Sequence, residues 1–219
     1  MNLFRLDSSI RTDGSVTREV ADTVESTWRA EHPDGVVVRR DIGTSPLSAA
    51  TWLDAVAGSS TPAEQRTPAQ QEAVALAAAL ADEVLAADAL VITAPLYNFG
   101  VPAPLKTWVD LLITDPRFAP GSPPALAGRP VILVVARGGG YGAGTPREGW
   151  DHATGWVRRI LADVFGADLH VVEAELTLAG VNPAMAALRD QAQASRENAH
   201  AVAADHIRTV ARRRARSAA

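Results

Sequence analysis

Hydroxyl groups crowd one short stretch of this chain. Asp7-Ser-Ser-Ile-Arg-Thr-Asp-Gly-Ser-Val-Thr17 follows the largely apolar segment Asn2 to Leu6 and leads into Val16, Val20, Val24 and Trp28, a helical spacing. Strand, hydroxyl-rich loop and helix start together bring O–H and N–H donors to the positive end of a helix dipole, which suits a phosphate. The same residues suit a plain N-cap, because the Ser15 oxygen can accept from the orphan amides of a first turn. A second stretch, Pro95-Leu-Tyr-Asn-Phe-Gly100, breaks an apolar run and presents Tyr97, Asn98 and Phe99. It reads either as a ligand wall or as a βα connection whose aromatics simply pack. A third, Arg137-Gly-Gly-Gly-Tyr-Gly142, has consecutive glycines that let backbone approach a flat ligand closely, or serve only as a flexible loop. Gly138, Gly140 and Ala143 match a G-x-G-x-x-A spacing, but away from the first βα turn and with Pro146 delaying any helix. His152 is the histidine near this loop. It is a candidate proton donor, or a polar residue at a helix start.

Each of these stretches needs a strand behind it. Asn2 to Leu6, Val36 to Asp41, Ala89 to Ala94, Arg129 to Ala136 and Asp168 to Leu176 read as strands, apolar runs bounded by turn residues. Helices are expected from Val16, from Pro68 to about Ala86 behind a Thr67 cap, over Leu105 to Ile113, over Trp150 to Phe165, and from Pro183 onward. Residues 42–67, with Gly43, Pro46, Gly58 and Pro62, read as a long connection, a length that goes with function or disorder. Leu47, Trp52 and Leu53 give it apolar points for a neighbour or a pocket. Phe118 to Gly128 is a proline-rich loop. The last helix ends in Arg208, Arg212, Arg213, Arg214 and Arg216, which complement a helix C-terminus.

Strands alternating with helices predict an α/β fold, a parallel sheet covered on both faces. No linker or composition shift divides the chain, so a single domain over 1–219 is expected. In the flavodoxin-like doubly wound order 2-1-3-4-5, the switch point lies between strands one and three, with strand four beside three. The hydroxyl loop, the Tyr97 loop and the glycine loop would then meet at one edge of a five-stranded sheet.

Composition narrows the chemistry. At 47% hydrophobic and 21% charged residues, with a formal charge of −4, the 219-residue chain has material for a core and no basic excess for nucleic acid or an anionic membrane. The absence of Cys excludes disulfides, thiolate nucleophiles and Cys-based metal sites. His32, His170, His200 and His206 show no metal-ligand spacing with each other or with carboxylates, and no metal is expected. Lys106 is the sole lysine and lies outside any Gly-Lys-Ser/Thr loop, which excludes a Walker-type nucleotide site. No signal-like N-terminus and no apolar run near the roughly 20 residues of a membrane span are present, so a cytoplasmic protein is expected.

Ser8-Ser9-Ile10 with Ser15 and Thr17, Pro95-Leu-Tyr-Asn-Phe99, and Arg137-Gly-Gly139 resemble the FMN-dependent NADH-azoreductases, members of the flavodoxin-like quinone oxidoreductases. The resemblance spans nearly the whole chain, and Pro-x-Tyr-Asn-Phe is its most specific element. It implies FMN bound non-covalently. Ser9, Ser15, Thr17 and the amide of Val16 would hold the phosphate; Pro95, Leu96, Tyr97, Asn98 and Phe99 would line the isoalloxazine; Gly138 and Gly139 would let backbone amides reach its pyrimidine side, and Ala136 and Arg137 before them count among the cofactor-binding residues. It further implies NADH or NADPH as donor, a quinone or azo acceptor, ping-pong two-electron hydride transfer, and a homodimer with the acceptor at the subunit boundary. Trp52, Phe118 and Tyr141 are then candidate wall residues. The chain departs from the family at Ala136, where a Ser hydroxyl is usual, and at Val16, where a polar side chain is usual.

Two rivals differ in class. A serine hydrolase built on Ser9 lacks the G-x-S-x-G elbow and a Ser/His/Asp set. A non-enzymatic FMN carrier or flavin-sensing protein would need the same cofactor loops but less of the long segments around 43–67 and 114–128.

Overall fold

The computed structural model describes residues 1–217. Five parallel strands, β1 (Leu3–Asp7), β2 (Val37–Asp41), β3 (Ala89–Pro95), β4 (Pro130–Ala136) and β5 (Asp168–Ala174), form one sheet in the order β2-β1-β3-β4-β5. The expected topology is therefore the observed one. β3 and β4 are buried at every residue, as strands covered on both faces must be, which is why they read as continuous apolar runs.

Side-chain alternation divides the core in two. Phe4, Leu6, Leu90, Ile92, Leu133 and Val135 face one side, packed by α2 (Ala49–Ser59), α3 (Pro68–Leu85), α4 (Ala103–Leu112) and α5 (Thr154–Arg158). Leu3, Val91, Ile132 and Val134 face the other, packed by α1 (Val16–Glu31) and α6 (Arg189–Ser217). The β1 positions on this second face continue with Arg5 and Asp7, so a charged pair occupies what would otherwise be core. Arg5 donates to Asp7 Oδ2 at 2.7 Å and reaches Asp22 and Glu25 on α1, which is how these buried charges are compensated.

The elements depart most from the sequence reading in four places. Residues 42–67 are not an unstructured connection: α2 lies within them, followed by a 3₁₀ turn at Ala63–Gln65. Ser48 caps α2 by accepting from the Ala50 amide, and the bare face of Gly58 lets the helix press against Val74 of α3. The fifth helix starts at Thr154 rather than Trp150, because the Asp151 carboxylate takes the amides of Ala153 and Thr154 into a turn. It then widens to π geometry over Arg159–Val164. β5 stops at Ala174, two residues short of expectation; Leu176 adopts φ 61, and the chain from there bonds back to the glycine loop. Pro183–Leu188 is 3₁₀ and the final α-helix begins only at Arg189. Arg208 and Arg212 lie near Glu31 of α1, at 3.9 and 3.6 Å; the side chains of Arg213, Arg214 and Arg216 lie outside the described residues. Among the described residues no helix is long and apolar enough to cross a membrane.

Candidate functional site

β1, β3 and β4 release their loops at the same edge of the sheet, and a cleft of about 150 Å³ opens between them. Ser9, Ser15, Val16 and Thr17 line it from the first loop, Pro95, Leu96 and Tyr97 from the second, Ala136 and Gly138 from the third. The hydroxyls form a chain: Ser15 Oγ donates to Ser9 Oγ at 2.9 Å, Ser9 Oγ meets Tyr97 Oη at 3.1 Å, and Ser15 Oγ meets Thr17 Oγ1 at 3.3 Å. Ser15 stands at the N-cap of α1, yet its side chain makes no capping bond. The first amides of a helix have no intrahelical partner, so this N-terminus keeps its positive end open beside hydroxyls free to turn toward an anion.

The loop itself is pinned from behind. Ser8 sits fully buried, its amide donating to Thr93 Oγ1 at 2.8 Å and its hydroxyl to Thr93 O at 2.5 Å, which ties the end of β1 to β3. Arg18, on the first turn of α1, donates to Ser9 O at 2.6 Å and Arg11 O at 2.9 Å while holding Asp41 with two bonds. Burial opposes ionisation of Asp41, but the Arg18 guanidinium and the Thr44 amide outweigh it and bring the carboxyl to about 2. Burial pushes the Asp7 carboxyl up, against the pull of Arg5 and Arg18.

The second loop is a tight reversal. Asn98 and Phe99 both take positive φ, 48° and 66°, and the Gly100 amide closes the turn on Tyr97 O at 3.0 Å. Consecutive left-handed residues define a type I′ turn. Asn tolerates that geometry; Phe does so at a cost. Their side chains stand exposed outside the cleft lining, and Phe99 packs edge-on against Trp150 at 5.5 Å and beside Tyr141 at 6.4 Å.

The glycine loop is held by Arg137. Its guanidinium is buried and donates to Asp151 Oδ2 at 2.7 Å, Glu173 Oε1 at 2.6 Å, Glu175 Oε1 at 3.3 Å and Thr154 Oγ1 at 3.2 Å. The side chain thus binds the loop to β5 and to the start of α5 rather than facing the cleft. Gly139 faces a neighbouring hollow, with Arg147 Nη1 only 2.3 Å from where a Cβ would sit. His152 is exposed; its backbone amide, not its ring, meets the site by donating to Phe99 O at 2.9 Å. Phe118 corrects an expectation: it lies in the core, 3% exposed and edge-on to Phe165. Trp52 is exposed on α2, with Lys106 of α4 5.9 Å above its ring.

Of the residues singled out from sequence, Ser9, Ser15, Val16, Thr17, Pro95, Leu96, Tyr97, Ala136 and Gly138 converge, whereas Asn98, Phe99, Arg137 and Gly139 lie beside the cleft. Four lining residues were missed: Arg11, Gly14, Thr177 and Leu178. The last two were within reach of the topology, since β5 adjoins β4 and its C-terminal end opens on the same edge. Thr177 and Leu178 donate their amides to the carbonyls of Arg137 and Gly138, at 3.0 and 3.2 Å. Among the described residues no group of three His, Cys, Asp or Glu could hold a metal ion.

Comparison with known proteins adds a second line of observation. The family model described as "Flavodoxin-like fold" matches residues 1–199. A protein of Parafrankia sp. (strain EAN1pec) named FMN-dependent NADH:quinone oxidoreductase is 42% identical, over 93% of this chain and 97% of its own. One of the same name from Kineococcus radiotolerans is 41% identical, over 95% and 99%. The crystal structure of an FMN-dependent NADH-azoreductase from Bacillus anthracis str. Ames Ancestor, in complex with FMN, superposes with a TM-score of 0.75 over 96% of this chain and 99% of that one. At 16% identity that last likeness speaks for the fold alone.

Proposed function

This chain belongs to the flavodoxin-like fold family, and on that premise we infer that it is an FMN-dependent NADH:quinone oxidoreductase that also reduces azo compounds. The observation that carries the reading is the cleft itself, with linked hydroxyls at the uncapped N-terminus of α1, at the sheet's switch point. Relatives about 40% identical over nearly their whole length and bearing that name support it.

The donor set fits FMN. Ser9, Ser15 and Thr17, with the amides at the start of α1, would hold the phosphate, and Arg11 at the cleft wall adds a cation. Buried Pro95 and Leu96 exclude water from one wall, and Tyr97 sets its hydroxyl against Ser9. Gly138 leaves backbone exposed where a side chain would collide with Leu178, its Cβ falling 2.8 Å from Leu178 Cδ1. Asn98 and Phe99, next to the cleft, are assigned to the part of the ligand that extends beyond it. When bound, the flavin supplies two-electron hydride chemistry between a nicotinamide and the acceptor. The protein's part is to bind, orient and exclude water, and no nucleophilic side chain is required.

Donor and acceptor would use one site in turn. Parallel initial-rate lines at varied NADH and menadione are expected, and intersecting lines would refute the sequential use of one site. We assign the enzyme to the cytoplasm, where reduced nicotinamide is held, and to a homodimer. The cleft is smaller than the ~300 Å³ usual for ligand pockets, and Trp52, Leu53, Val56 and Trp150 are exposed apolar side chains suited to a partner copy. The deciding experiment is a visible spectrum of the purified protein followed by turnover with NADH and with NADPH, using menadione and an azo dye. A protein that neither carries nor binds FMN would sink the reading. FMN binding without nicotinamide oxidation would leave a carrier or sensor.

A further inference from the structure

Around the hydroxyl loop lies a set of charges that no step of the reaction uses. Arg18 is 14% exposed at its side chain, and every polar group of its guanidinium is engaged. Nη2 bonds Ser9 O, Nε bonds Arg11 O, and the two terminal nitrogens grip Asp41 at 2.8 and 2.9 Å, while Asp7 lies 3.8 Å away. Asp41 is the last residue of β2 and in register with Asp7, the last of β1. Its Oδ1 also accepts the amides of Gly43 and Thr44, each at 3.0 Å. Gly43 in turn presses on the loop from below, for a Cβ there would fall 1.9 Å from Ser9 O. One guanidinium therefore links the end of β2, the start of α1 and the carbonyls on which Ser9 and Arg11 are hung.

We propose that Arg18 and Asp41 are a positioning pair that pre-sets the Ser9–Ser15 loop for the phosphate end of the flavin. The proposal rests on the flavin reading above. Arg5 and Arg18 are matched by Asp7 and Asp41, so the set brings no net positive charge to the phosphate. Its effect is geometric. Without the pair, Ser9 and Arg11 lose their anchor and the hydroxyls must be ordered at the moment of binding, which weakens affinity. Asp41, an ionised carboxylate of the same sign as a phosphate, separates geometry from charge. Removing it improves the electrostatics for a phosphate while loosening the loop.

The test is the affinity of the flavin-free full-length protein for FMN and for riboflavin, read by fluorescence quenching, in wild type, Arg18→Ala, Arg18→Lys and Asp41→Asn. Wild type is expected to prefer FMN. Arg18→Ala and Asp41→Asn should each weaken FMN about tenfold, the scale of one charge-assisted hydrogen bond, with riboflavin unchanged. Arg18→Lys, which keeps the charge but not the fork, should fall between them and wild type. The near-isosteric Asp41→Asn carries the test should Arg18→Ala not fold. Tighter FMN binding in Asp41→Asn, or equal losses for both flavins, overturns the positioning role. A wild type that binds neither flavin defeats the flavin reading itself, and the proposal with it.

Discussion

Asn98 shows how much of a site residue's role sits in its backbone. Its φ of 48° and the 66° of Phe99 form a turn that Ala would strain, so Asn98→Ala mixes loss of the amide with loss of the turn. Asn98→Gly separates them. It should keep stability within about 0.5 kcal/mol while weakening FMN roughly tenfold, if the amide contacts the flavin as assigned. Equal FMN affinity in Asn98→Gly and wild type, measured by flavin titration, would withdraw Asn98 from the site. Tyr97 is the simpler case: Tyr97→Phe removes only the hydroxyl next to Ser9. FMN should bind a few-fold more weakly, with a cost of about 1 kcal/mol, and an unchanged titration curve would show the hydroxyl to be idle. The Asn98 motif was legible from residue order alone, but its conformation was not, since nothing local to Tyr-Asn-Phe-Gly dictates two left-handed residues in a row.

Among the elements, α2 is the one the sequence concealed. Its buried residues are only Ala55 and Gly58, so it carries no long apolar stripe, and it ends in Ser59 with Ser60 and Pro62 close behind. What makes it a helix is its seat on α3, where Gly58 meets Val74 and Gln70. A Cβ at Gly58 would lie 2.8 Å from Val74 Cγ2 and 3.0 Å from Gln70 O. Gly58→Ala should therefore lower stability by about 1–2 kcal/mol, overpacking outweighing the ~1 kcal/mol gain in helix propensity. A urea midpoint at or above wild type would refute the close packing. α3 was plain by contrast, because Thr67 and Gln70 form a reciprocal capping box and Pro68 occupies the first turn, all local signals.

For the molecule as a whole, two sets of groups govern stability against acid. His206 is held below its ordinary value by burial and then by His170, with Asp205 opposing, so the folded state binds fewer protons there than the unfolded chain. That contribution is present above pH 6.5 and is lost as pH falls below it. Asp41, at about 2, stabilises above 3.8 and is lost as pH drops toward 2. Burial resists ionisation of Asp151, but the Thr154 amide and hydroxyl and the Ala153 amide hold its carboxyl down, so its contribution is lost in the same direction. Asp7 runs the other way, its raised carboxyl relieving strain as it protonates. Thermal melts from pH 8 to 3 should show an early decline that His206→Gln removes and a later one that it leaves. A variant with the same early slope would mean His206 does not titrate between the states. The proposed dimer belongs to this scale too. Leu53, 72% exposed, is its clearest probe: wild type should sediment as a dimer and Leu53→Glu as a monomer, and a monomeric wild type would end the proposal.

The order of strands, the helices on both faces and the convergence of three loops were readable from the chain, because apolar periodicity and turn residues are local and a parallel sheet admits few arrangements. So were the hydroxyls, Pro95 to Tyr97 and Gly138, whose types alone suit the cleft. Tertiary structure decided the rest. It turned Ser15 from a helix cap into a link between hydroxyls, turned the Arg137 side chain away into a knot with Asp151 and Glu173, buried Phe118 against Phe165, and brought Arg18 to Asp41. Each of these depends on partners distant in sequence or on competition between partners, and a linear pattern carries no record of which one wins.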